Sequence, residues 1–295
     1  MRKRVLLAAA LVACAGPRPR APRGEVVVTF EGNIEHGPYR FGEGDLPDLP
    51  RRGFKALSPL TGEDAKFEGL SVAAIIADEM EVAPGVDTAV FFGQNGYAAP
   101  VSIAALRQLR PVLADKVNGA PVGDWSKGSA PLQLAWPNVD QPGIDSDPRM
   151  RWWWVGGVRK VELRSWIATY GRALRVPQGS SDEARLGAEV VSVSCITCHK
   201  VRGVGGTRGP ELRSGAVRGD ARAFSEAMRE HLSKSSGMAA APETSVASAR
   251  QIAAFLRAVE LAGARPEDEA PLDQPTQPTQ PTPPPRPPTG YVPGT

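Results

Sequence analysis

Cysteine and histidine are scarce. The 295 residues hold three of each: Cys14, Cys195 and Cys198, and His36, His199 and His231. Residues 15–194 contain no cysteine, so that long stretch offers no thiolate to a metal. A zinc site on Cys195 and Cys198 would need further ligands, and beyond His199 only His231 is near. The apolar run at residues 5–13 falls far short of the roughly 20 residues that a membrane-spanning helix needs. An excess of charge is missing too. The formal charge is +3, and removing Arg2, Lys3 and Arg4 with a leader brings it to neutrality. A neutral chain gives no electrostatic case for nucleic acid as a partner. Proline is the opposite case, with 29 residues, too many for one compact unit.

What is there begins with "MRKRVLLAAALVACAG", a basic stretch and then a short apolar run, the pattern of a secretory signal. Its "LVAC" resembles the lipobox of bacterial lipoproteins, which implies cleavage before Cys14, acylation of that cysteine and a hold on a membrane face. Ala15 after the cysteine points to the outer rather than the inner membrane. The expected division is a signal peptide at 1–13, a tether at 14–24, a β-rich unit at 25–170, a linker at 171–180, a helical unit at 181–263 and a disordered Pro/Gln/Thr tail at 264–295. The expected fold class is thus α+β and multidomain. "EVVVTFEG", "TAVFFGQNGY" and "PLQLAWP" read as strands. "SVAAIIADEM" and "SIAALRQLRPVLA" read as helices opened by Ser71 and Ser102. Gly156-Gly157 suits a hairpin turn, and on such a strand Trp152 and Trp154 face one way and Trp153 the other. "SSDEARLGAEVVSVSC" predicts a helix with an apolar face of Leu186, Val190 and Val193. "SVASARQIAAFLRAVELAG" predicts another, with a stripe of Ile252, Phe255, Leu256 and Val259 ended by Gly263.

Cys195-Ile196-Thr197-Cys198-His199 is the C-x-x-C-H pattern of covalent haem attachment. Two thiols about one helical turn apart can each add across one vinyl group of a porphyrin, and the adjacent histidine then meets the iron. A C-x-x-C redox pair would not need the histidine and belongs in a βαβ setting that is missing here. From this motif to Gly263 the sequence resembles a monohaem class I c-type cytochrome. The resemblance implies one haem c bound covalently by Cys195 and Cys198, with His199 as an axial iron ligand. It implies that Pro210, in "GTRGPEL", accepts the imidazole N–H through its carbonyl, and that Leu212 packs on the haem face. It also implies a sixth ligand from the loop before the last helix, where Met238 lies; Met228 and His231 are the competitors.

Residues 25–170 resemble the molybdopterin-binding fold of the sulfite-oxidase family. The likeness runs through "VTFEG", "FEGLSVAAIIAD", "FFGQNGYAAPVSIAAL", "NGAPVGDWSKGSAPLQLAWP" and "MRWWWVGGVRKVEL". Family enzymes bind molybdenum through a protein cysteine, and this stretch has none, so the fold is carried over and molybdopterin is not expected. Asp140, Asp145 and Asp147 lie in a loop without Ca²⁺-site spacing and read as solvated. Arg149 and Arg151 could grip an anion; Tyr97, Trp125 and Arg151 are the pocket candidates, and lone His36 reads as a surface residue. The expected protein is a periplasm-facing, lipid-anchored electron carrier that serves redox partner proteins of the envelope. A molybdopterin-dependent oxidoreductase passing electrons to its own haem, and a haem-based sensor with an open axial site, are the alternatives.

Overall fold

The computed structural model describes residues 17–93, 95–125, 131–235 and 245–263. Cys14, Met238, the leader and the proline-rich tail lie outside the described residues. The strands are β1 (Val26–Gly32), β2 (Tyr39–Gly42), β3 (Arg51–Leu57), β4 (Asp64–Ser71), β5 (Thr88–Gly93), β6 (Ala98–Ser102), β7 (Val112–Val117), β8 (Ala120–Pro121), β9 (Gln133–Ala135), β10 (Val155–Gly156), β11 (Val158–Arg164), β12 (Lys200–Val201) and β13 (Val204–Gly205). The helices are α1 (Val72–Asp78), α2 (Ile103–Leu109), α3 (Val122–Trp125), α4 (Arg172–Leu174), α5 (Asp182–Val190), α6 (Ala221–Ser235) and α7 (Val246–Gly263). This mixture is an α+β fold.

Two sheets carry the first half. One has the order β2-β1-β11-β5-β6, with β1 and β11 parallel; the other runs β10-β9-β7-β4-β3, with β8 folded onto β7. Their inward residues join one hydrophobic cluster: Phe30, Phe91 and Leu163 from the first sheet, Phe67, Leu113 and Leu134 from the second. Alternation assigns the faces. In β5, Ala89 and Phe91 enter that cluster, while Val90 and Phe92 point to the other side of the sheet. There a second cluster forms, in which Val90 and Ala98 meet Trp166, Ile196, Ile252 and Phe255. The first sheet is therefore covered on both faces, and the second cluster crosses the boundary at 170–181 expected from the sequence.

Several expectations are corrected. Gly156-Gly157 makes no hairpin: β10 pairs with β9 in one sheet and β11 with β5 and β1 in the other, so the two glycines carry the chain between sheets. The tryptophans stand on a 3-10 turn (Met150–Trp153) and the residue after it, so the strand alternation does not apply, and all three are buried. The helix expected through residue 114 ends at Leu109, with Arg110 left-handed and Pro111 next; proline cannot continue it, and β7 begins at Val112. The expected linker opens inside packed structure, since Tyr170, Ala173 and Leu174 are buried. The tether is pinned at its end, where Arg23 binds Asp45 and Asp48 and the Tyr39 hydroxyl donates to the Pro17 carbonyl. On α5 the buried residues are Ala184 and Gly187, whereas Leu186 is 44% exposed. Gly187 causes this: a Cβ there would lie 2.0 Å from the Gln251 carbonyl oxygen on α7, so the two helices cross at the glycine and Leu186 turns outward. The α7 stripe stands as the spacing predicts, with Ile252, Phe255, Leu256 and Val259 all buried. Each such side chain stabilises by about 1.5–3 kcal/mol.

Candidate functional site

Helix α5 leads the chain into the cysteines. The Ser181 hydroxyl caps it by accepting the Ala184 amide at 3.2 Å, and Asp182 and Glu183 lie in its first turn, where they complement the helix dipole. The helix loosens into a π-turn (Val191–Cys195) and then tightens: the amides of Cys198 and His199 both donate to the Cys195 carbonyl, at 3.1 and 2.9 Å. One turn therefore carries both thiols and the imidazole. The two residues between the cysteines anchor it, as Ile196 and Thr197 are buried while Cys195, Cys198 and His199 are half-buried.

His199 is oriented from behind. Its Nδ1 lies 2.8 Å from the Pro210 carbonyl oxygen. A neutral ring donates there through Nδ1–H, and Nε2 remains as the electron-pair donor. Gly209 makes the approach possible, because a Cβ at that position would sit 2.3 Å from His199 Cε1 and 2.6 Å from Nδ1. The Leu212 amide donates to the Lys200 carbonyl at 2.8 Å, and its half-buried side chain packs on the second cluster; Pro210 itself is exposed. His231, on α6, brings its ring centroid to 5.7 Å from that of His199 at 47°. Burial, then the neighbouring His199 and Arg208, hold its pKa below the usual histidine value. Met228 packs half-buried against the second cluster, one turn before His231.

Burial pushes the Cys195 thiol up to about 12 and that of Cys198 upward as well. A disulfide-exchange centre works through a depressed thiol, so this environment is the wrong one for it. Both are free thiols. Among the described residues, no three His, Cys, Asp or Glu side chains converge as a set that could hold a bare ion. Asp145 accepts from the Asn138 amide at 2.9 Å and Asp147 clamps Arg149.

The pocket candidates do not come together. Tyr97 is 7% exposed, a core residue whose hydroxyl donates to the Trp152 carbonyl at 2.7 Å. Arg151 is exposed, Trp125 ends α3 with its side chain outside the described residues, and His36 is exposed in a left-handed conformation. A cavity of about 40 Å³ lies instead between β6 and the turn, lined by Thr88, Pro100, Arg149, Trp153, Trp166 and Thr197. It is water-sized. The arginine at it is Arg149, stacked over Trp153 at 5.1 Å. The bond from the Ala98 amide to the Thr197 carbonyl, at 2.8 Å, was not read from the sequence; the one signal was that Thr197 falls inside the C-x-x-C-H turn.

No protein-family model matches the chain, and no curated relative does. Among solved structures, the sulfane dehydrogenase SoxCD from Paracoccus pantotrophus is similar over 47% of this chain and 38% of that chain, at 18% identity and a TM-score of 0.37. The likeness thus spans well under half of that protein's length.

Proposed function

We propose that the chain is a monohaem c-type cytochrome that carries electrons one at a time at the face of a bacterial envelope membrane. The observation that carries this reading is the seated imidazole of His199, with Nδ1 on the Pro210 carbonyl and Gly209 cleared of any side chain, next to two thiols on the same turn. That donor set fits a haem. Cys195 and Cys198 would hold it covalently through their thiols, and His199 would hold its iron through Nε2. The Pro210 carbonyl fixes the tautomer and strengthens the imidazole as a donor. Leu212, Val204 and Met228 supply apolar surface on the same cluster. When bound, the group supplies a one-electron iron couple. In this reading Met238 is the sixth ligand, a lipid on Cys14 anchors the chain on the periplasmic side, on the outer rather than the inner membrane, and redox proteins of the envelope are its partners.

Molybdopterin does not fit. The β-rich half has no cysteine to bind molybdenum. No step is routed through it. The deciding experiment matures the full chain in an oxidising envelope compartment and measures its haemochrome spectrum and metal content. One covalent haem per chain is expected. A colourless protein whose Cys195 and Cys198 both alkylate ends the proposal, and stoichiometric molybdenum replaces it with the enzyme reading. Met238→Ala should remove a sulfur-to-iron charge-transfer band; a band absent from the wild type moves the assignment to His231, which already faces His199.

A further inference from the structure

Strand β6 is the last strand of the first sheet, so its outer edge would be a row of unpaired backbone groups. Pro100 leaves the middle of that edge without an amide, and the attachment turn covers its start. The Ala98 amide donates to the Thr197 carbonyl at 2.8 Å, and the Thr207 amide donates to the Gly96 carbonyl at 2.7 Å. The Gly206 amide, bonded to the Ile196 carbonyl at 2.8 Å, ties the two contacts together. Gly96 permits the approach, with φ +80 and a hypothetical Cβ only 2.6 Å from Thr207 Oγ1. Behind it the buried Tyr97 hydroxyl donates to the Trp152 carbonyl at 2.7 Å and holds in place the strand start that meets Thr197. The two cysteines straddle this junction: Cys198 packs on the β cluster and Cys195 on the helical one.

The geometry points to a function for the β-rich half. Its β6 edge and Tyr97 bury Thr197 and leave Cys198 half-buried, limiting the water on this side of the attachment turn, and thereby raise the reduction potential of the centre. This rests on the haem reading of the previous section. The physical reason is that a ferric centre carries more charge than a ferrous one, so water admitted beside it favours the oxidised form, and a dry protein wall favours the reduced form. Tyr97 is a positioning residue in this account, because it acts through Thr197. Partner proteins then have to dock away from the Cys198 side.

The test uses the full haem-loaded chain and a redox titration of wild type, Tyr97→Ala, Tyr97→Phe and Gly96→Ala. Ile75→Val is the control for stability alone; Ile75 is fully buried on α1, which packs on β4 and α2. The Tyr97 and Gly96 variants should lower the midpoint potential at unchanged haem content, Tyr97→Phe least of the three, while Ile75→Val leaves it in place. Equal midpoints in all five proteins would overturn the inference. A second measurement needs no haem: in the unloaded chain, the Ala98 and Thr207 amides should exchange as slowly as those of β5. Exchange at the rate of exposed loops shows that no wall is built into the fold. A colourless wild type removes the haem reading as well; a coloured one with flat potentials removes only this inference.

Discussion

The β-rich half and the helical segment differ in how fully each fills itself. Of the twelve largest fully buried side chains among the described residues, eleven lie from Phe30 to Met150 in the β-rich half, two of them on α1 and α2, and only Phe255 belongs to the later helical segment. The helical segment leaves Leu186, Val246 and Leu261 exposed, against Leu57 and Val139 in the β half, and keeps both thiols and the imidazole half-buried. Among the described residues, the largest close-packed side chains therefore gather in the β half, and the thiols and the imidazole stand in the helical segment.

That contrast can be broken most sharply by removing the thiols. Cys195→Ser with Cys198→Ser should abolish covalent haem altogether and lower the melting temperature of the helical signal in circular dichroism, while the near-ultraviolet tryptophan signal of the β half persists at moderate temperature. Simultaneous loss of both signals would show one cooperative body with no division of labour. Next in size, Phe67→Ala empties a fully buried site packed edge-on to Trp154 at 5.6 Å. It should cost about 3–5 kcal/mol in denaturant unfolding without altering the haem absorption of the folded protein. Gly187→Ala acts on the helical side by forcing α5 off the Gln251 carbonyl, and should cost about 1–3 kcal/mol by the same assay. Smallest is a pair of capping serines. Ser102 accepts the Ala105 amide at 3.1 Å, so Ser102→Ala should cost about 1 kcal/mol, whereas Ser71 makes no such bond and Ser71→Ala should cost much less.

The two halves were also legible to different degrees. Periodicity found α7 because it buries one continuous stripe, and the apolar run of β5 marked a strand without showing that both its faces are buried. The helix that leads into Cys195 was legible from its capping serine. What stayed hidden depends on contacts distant in sequence. Leu186 has the right spacing for a buried face, but Gly187 meets α7 and rotates it outward. Gly156-Gly157 looks like a hairpin turn, because nothing local shows that the strands on either side belong to different sheets. Tyr97 reads as a loop residue with pocket potential, and its actual setting needs Thr197, a hundred positions away, to be seen.

Covering the β6 edge has a consequence for the life of the chain before it is finished. A polypeptide whose helical segment has not closed over Gly96–Ala98 displays the start of β6, where the backbone groups at Gly96 and Ala98 lie open to a neighbouring copy. Solubility should therefore be gained as the helical segment closes. A cell that fails to complete the helical segment should accumulate this protein as β-rich aggregates.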